Sequence, residues 1–280
     1  MRIPVIFLLL TVLIAHSTMG QTSPMELGSV EALILSDRPI DRLGTDNAGH
    51  IFVTDLQGNI IQYDSSGDSI NNYSPAIQGR LSHLETGRTS TIFTFSKTLQ
   101  RIEILDRFLA PLFSSRFENS QFGYISAASL GNNNRIWLFD QSSYTLLLWD
   151  YQQQITVQEI PLNLIVEERS SEVLSLREHK NLLFINMGEQ GVYILDNQGN
   201  LVQHLTEVHA DTLTFMDRNL LSLETDQLIF TDYVTARSNA YSFSRNFKLA
   251  ANQDHMYYYT AGSIWRLSRE EISQLKPSLP

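Results

Sequence analysis

The side chains in this chain best placed for chemistry are carboxylates set one tight turn away from glycine. Asp55-Leu56-Gln57-Gly58, Asp64-Ser65-Ser66-Gly67 and Asp196-Asn197-Gln198-Gly199 repeat a single pattern. A carboxylate beside the carbonyls of a tight turn suits a hard cation, but calcium takes roughly 6 to 8 oxygens. Each copy offers only one or two carboxylates. The same pattern builds an Asx turn, in which the carboxylate accepts backbone N–H groups. We read all three as turns and assign no metal ligands.

Other chemistry has weaker signals. His50, His83, His179, His204, His209 and His255 show no His-Glu-x-x-His spacing. His204 and His209 lie five apart on a strand and in the loop after it, and two such ligands need a third to make a zinc site. There is no Gly-x-Ser-x-Gly elbow, Gly-x-Gly-x-x-Gly fingerprint or phosphate-cradling glycine loop. Cysteine is absent, which removes thiol catalysis and any disulfide framework. No catalytic residue is assigned, and no cofactor is expected.

The elements that carry these residues form a repeat. Ile51-Phe52-Val53, Ile92-Phe93-Thr94-Phe95, Ile136-Trp137-Leu138-Phe139, Leu182-Leu183-Phe184-Ile185, Leu220-Leu221-Ser222-Leu223 and Met256-Tyr257-Tyr258-Tyr259 are the most apolar strands of six units, starting 41, 44, 46, 38 and 36 residues apart. A period near 40 built from short strands marks a propeller blade. Helical solenoids of similar period need amphipathic runs at 3.6 spacing, and none follows the N-terminus. Five units divide into four strands each; the sixth, from Phe247, is one strand short. The unpaired stretch Val30–Leu35 supplies the missing strand and clasps the ring, leaving no open edge between first and last blades. The expected fold is therefore all-β, a six-bladed β-propeller over residues 30–269 whose last blade is closed by the N-terminal strand, with a tail at 270–280.

The N-terminus looks like an export signal. Arg2 precedes an apolar core from Val5 to Ala15 and small residues up to Gly20, a secretory layout too short to span a bilayer. Residues 1–20 are read as a cleaved signal peptide, cut after Gly20 or alternatively Ser17, and 21–29 as a flexible segment. No other stretch has the length of a membrane span. With 42% hydrophobic residues the 280-residue chain can build a sizeable core, and its net charge of -10 opposes nucleic-acid and anionic-membrane binding. Export without cysteine points to a bacterial envelope, periplasmic or secreted.

The series Phe52-Val53-Thr54-Asp55-x-x-Gly58-Asn59-Ile60-x-x-Tyr63-Asp64-x-x-Gly67 resembles NHL-type repeats, and Leu195-Asp196-Asn197-Gln198-Gly199-Asn200-Leu201-Val202 is similar to their final turn. The layout is similar to six-bladed NHL/TolB-like propellers of bacterial envelopes. Blades two, three and five depart from the glycine pattern, carrying Lys97-Thr98-Leu99-Gln100, Gln141-Ser142-Ser143-Tyr144 and Thr225-Asp226-Gln227 at the matching turn. Relatives of this type that hydrolyse lactones hold a metal in the central channel. By that resemblance Glu85, Asn132, Glu178, Asp217 and Asn252 would be the equivalents here, giving a metal-dependent hydrolase as the alternative function.

Binding on a propeller is expected where loops vary without disturbing the core. Two interblade links are long, Ser115–Gly123 and Pro161–Glu172, and the second carries Leu164-Ile165-Val166 where a polar connector is ordinary. Exposed apolar residues there would form a partner surface; the other reading is that the segment folds back over its blade. The expected function is a protein- or peptide-binding or scaffolding module, a monomeric propeller within an envelope complex, meeting its partner through Leu164, Ile165, Val166, Phe117 and Tyr144. Carbohydrate binding through Tyr144, Trp149 or Trp265 is a weaker third reading.

Overall fold

A computed structural model describes residues 31–88, 90–117, 121–166, 172–224, 226–243 and 246–275. The expected signal peptide, the segment 21–29 and Val30 lie outside them. Six antiparallel sheets of four strands each stand in a ring. Blade 1 contains β2 (Arg42–Thr45), β3 (Ile51–Thr54), β4 (Ile60–Tyr63) and β5 (Ser69–Tyr73). Blade 2 contains β6 (His83–Glu85), β7 (Thr91–Ser96), β8 (Arg101–Asp106) and β9 (Pro111–Arg116). Blade 3 contains β10 (Ile125–Leu130), β11 (Arg135–Asp140), β12 (Thr145–Asp150) and β13 (Ile155–Pro161). Blade 4 contains β14 (Ser175–His179), β15 (Leu182–Asn186), β16 (Val192–Leu195) and β17 (Leu201–Leu205). Blade 5 contains β18 (Thr214–Met216), β19 (Asn219–Glu224), β20 (Gln227–Asp232) and β21 (Arg237–Ser242).

Blade 6 is made from both ends of the described chain. Its inner three strands are β22 (Lys248–Ala251), β23 (His255–Tyr259) and β24 (Ser263–Ser268), and its outer strand is β1 (Ile34–Leu35). The expected clasp is present but shorter than the stretch Val30–Leu35 suggested. Ile34 pairs with Ile264 and Leu35 with Ser263, and Leu33 N–H donates to Ile264 O at 2.8 Å. Ile34 is buried beside Ile264, Tyr257 and Tyr259, so apolar packing as well as the ladder holds the ring shut.

The second strands are almost wholly buried because each lies mid-blade with a neighbouring blade on either face. Outer strands alternate, as in β13, whose pattern of exposed and half-buried residues follows the two-residue pleat. Gly58 shows what the tight turns demand: its φ is +82°, and an added Cβ would press on Gly79 O of the adjacent link.

The chain beyond β24, expected as a tail, begins with a helix, α1 (Arg269–Ser273). Ser268 caps it, its hydroxyl accepting from Glu271 N–H while the Glu271 carboxylate accepts from Ser268 N–H, a reciprocal capping box. Ile272 and Leu275 are buried against Met256, Tyr258 and Leu267, covering the apolar face that the missing third-to-fourth strand turn leaves on this blade.

Chain direction defines two faces. Interblade links and second-to-third strand turns share one, called here the link face; first-to-second and third-to-fourth turns share the other.

Candidate functional site

The Asp-x-x-Gly carboxylates are occupied by their own turns. Asp55 accepts Gln57 N–H and Asn59 N–H at 2.9 and 3.0 Å, and the Asn59 amide at 2.7 Å. Asp64 accepts Ser66 and Asp68 N–H, and Asp196 accepts Gln198 and Asn200 N–H. Turns without the glycine do the same: Asp106 accepts Phe108 and Ala110 N–H at 2.8 Å. These bonds hold the Asp196 carboxyl below the ordinary carboxylate range, first through the Asn200 side chain and then the turn amides.

The inner strands surround a channel with a cavity of about 440 Å³. Its wall is chemically uneven. Glu85, at the end of β6, is buried, faces His83 Nε2 at 2.7 Å, accepts Leu130 N–H at 3.2 Å, and lies 3.9 Å from Arg177 Nε. Burial alone would raise its pKa, but the Arg177 guanidinium and the His83 hydrogen bond outweigh that and bring it to about 2. Burial pushes His83 the other way, below its usual value, so the pair is a carboxylate facing a neutral ring. Glu178 accepts Trp137 Nε1–H at 2.8 Å and lies 3.6 Å from Arg88, yet burial dominates and raises its pKa. His179 stacks on Phe215 with centroids 4.3 Å apart, and burial brings its pKa down to about 4.

All five residues implied by lactone-hydrolysing relatives border this cavity. Glu85 and Glu178 stand on the blade 2 and blade 4 sides, and Arg88 connects Glu178 to Asn132, donating to Asn132 Oδ1 at 2.9 Å. Asp217 pairs instead with Arg269 at 2.7 Å. Asn252 donates to Thr45 Oγ1 and Asp46 O, and accepts Asp254 and His255 N–H. Among the described residues no group of three or more His, Asp or Glu side chains is disposed to hold a metal ion. The two channel carboxylates already face guanidinium, indole and imidazole partners, so the donor set does not fit a metal cage, and we derive no reaction through one.

The expected partner-binding residues separate by burial. Leu162, Leu164 and their neighbours form a single 3₁₀ turn, Leu162–Leu164. Leu162 and Val166 are buried under it and Ile165 is half-buried against the same cluster, while Leu164 is 78% exposed. Leu162 N–H donates to Tyr144 O, and both Ile165 and Val166 N–H donate to Leu162 O. Tyr144 packs edge-on against Phe139. Phe117 is buried among Phe95, Phe122 and Trp149, which pins the next link to blade 3. The described part of the long link, through Val166, thus folds back on its blade and exposes Leu164; residues 167–171 of the expected link lie outside the described residues. Trp149 is buried and Trp265 stacks on Tyr258 with centroids 5.5 Å apart, so both serve blade packing rather than an open sugar platform.

Two arginines that the sequence reading passed over, Arg42 and Arg177, face the channel from β2 and β14. Their signal was weak: Arg42 opens β2 ahead of Leu43-Gly44-Thr45, and Arg177 sits in the mixed run Ser175-Leu176-Arg177-Glu178-His179.

No protein-family model matches the chain, and no curated protein matches it by sequence. Solved structures match its fold. It is similar to the WD40 domain of Neurospora crassa Pan2, with 12% identity, 89% of this chain and 86% of that one covered, and a TM-score of 0.59. A streptogramin B lyase matches with 13% identity, 88% and 85% coverage and a TM-score of 0.60. PorZ, an essential bacterial surface component of the type-IX secretion system of Porphyromonas gingivalis, matches with 15% identity and a TM-score of 0.59, over 88% of this chain and 33% of its own. At such identities the likeness is one of fold: the chain is a six-bladed β-propeller.

Proposed function

We propose that the protein is an exported propeller of the NHL/TolB-like type, periplasmic or secreted in a bacterial envelope, that binds a protein or peptide on its link face. One observation carries this reading. Of the fourteen large apolar side chains that stand exposed among the described residues, Leu56, Ile77, Tyr124, Leu164 and Leu174 lie at links or second-to-third turns and Leu35 ends β1 where a link begins; Phe108 and Val234 lie at turns of the opposite face, and Ile70, Leu112, Ile155, Val157, Leu201 and Val202 lie along the outer strands. Exposed apolar residues concentrated on one side of a molecule mark an interaction surface. The propeller acts as a rigid monomeric support for that face within a complex. PorZ, a surface component of a secretion system, lends the reading a structural parallel. Among the described residues no helix is long and apolar enough to cross a membrane.

Leu164 separates binding from folding. Leu164→Asp will leave the melting temperature unchanged, because the side chain is 78% exposed, and will weaken a link-face partner about tenfold or more if Leu164 is an anchor. Val166→Ser, by contrast, will lower stability, since Val166 is buried. Full retention of the partner by Leu164→Asp at unchanged stability would remove this residue from the interface.

A further inference from the structure

In the Arg88–Glu178 and Arg177–Glu85 ion pairs of the central channel the cation is the more accessible partner, although the chain as a whole carries a net charge of -10. The carboxylates recede: the side chains of Glu85 and Glu178 are 3% and 5% exposed, against 22% for Arg177. Arg88 is already committed, donating to Leu130 O at 2.6 Å and to Asn132. Arg177 is ion-paired with Glu85, whose Oε2 lies 3.9 Å from its Nε, but its guanidinium donates no hydrogen bond to a described residue. Arg42 also borders the cavity; it donates Nε–H to Leu81 O at 2.7 Å, and its terminal nitrogens donate no hydrogen bond to a described residue.

The two arginines belong to blades 1 and 4, on opposite sides of a six-membered ring, and border the same cavity of about 440 Å³. That size lies within the ordinary range of small-molecule sites, roughly 300–1,000 Å³. A guanidinium without acceptors is a fork of N–H donors matched to carboxylate or phosphate oxygens. Asp217 and Asp211 also border the cavity; Asp217 is paired with Arg269, and Asp211 stands in the link preceding β18.

We propose that the central channel binds a small organic acid, its carboxylate or phosphate oxygens held between Arg177 and Arg42. The site is separate from the link-face leucine, so either assignment can fail without the other. Inorganic phosphate and succinate are the probes, titrated calorimetrically into the intact exported protein. At least one binds one-to-one, and its affinity falls tenfold or more in Arg177→Lys and in Arg42→Gln. The lysine variant keeps the charge beside Glu85 and removes the fork, and Arg42→Gln gives an independent reading from the opposite wall. Arg237→Gln, on the exposed outer strand β21, leaves affinity unchanged. A preference for phosphate or for succinate identifies which acid group the channel accepts. Absence of binding by both probes, or wild-type affinity in both channel variants, would overturn the proposal.

Discussion

Glu85→Ala will destabilise the protein by about 3–5 kcal/mol, the cost of removing one member of a buried charged cluster. The variant leaves the Leu130 N–H without its acceptor and Arg177 without the carboxylate it is ion-paired with. Equilibrium denaturation at pH 7 measures the loss. The same carboxylate sets an acid-dependent component. Its pKa, brought to about 2 in the fold, lies below the 4.5 of an ordinary glutamate, so its stabilisation is complete above pH 4.5 and is lost as pH falls towards 2. A depression of that size corresponds to roughly 3 kcal/mol. His179 acts in a different window. Its pKa is lowered from 6.5 to about 4 by burial, so its neutral ring costs nothing above pH 6.5 and stability declines between 6.5 and 4 as the unfolded chain takes up the proton first. Because the ring is partly exposed, about 2 kcal/mol is the expected scale. Stability measured against pH will therefore fall in two stages. Glu85→Gln flattens the lower one and His179→Phe the upper. A single stage unaffected by either substitution would contradict this assignment.

Opening the ring is the second large perturbation. Ile34→Ala removes most of a side chain that is 4% exposed in the core shared by blades 1 and 6, at a cost of about 2–5 kcal/mol. For a chain of this size each kcal/mol lowers the melting temperature by roughly 2–4 °C. Deleting the chain through Asp37 goes further: it strips β1 from β24 and leaves the outer edge of blade 6 unpaired, a template for edge-to-edge association. The truncated protein will melt earlier and elute as oligomers. A monomer with unchanged melting temperature would show that β1 does not hold the ring.

The repeat was legible because each blade must bury its second strand on both faces, which forces runs such as Ile136-Trp137-Leu138-Phe139 at a period near 40. The clasp could be inferred from the missing strand in the last unit. Its length could not, since an apolar run such as Val30–Leu35 does not state how many of its residues find a partner. The helix Arg269–Ser273 carried its signal in Ser268-Arg269-Glu270-Glu271, a capping-box pattern, but five residues are too few to show a helical period. On the link face the apolar character of Leu164-Ile165-Val166 was visible while its direction was not: a 3₁₀ turn puts Val166 inside and Leu164 outside. Phe117, read as a contact residue, is an anchor in the aromatic cluster around Trp149. The channel was least legible, because the meeting of Arg177 with Glu85 joins two blades and depends on ring closure rather than on spacing along the chain.

The central claim is that partners meet the link face. Photo-crosslinking side chains placed one at a time at Leu56, Leu164 and Leu174 on that face, and at Phe108 and Val234 on the other, test it in intact cells producing the protein. All five positions are exposed, so each tolerates the probe. Adducts to a common partner from the first three positions and none from the last two are the predicted result. Adducts confined to Phe108 and Val234 would contradict it.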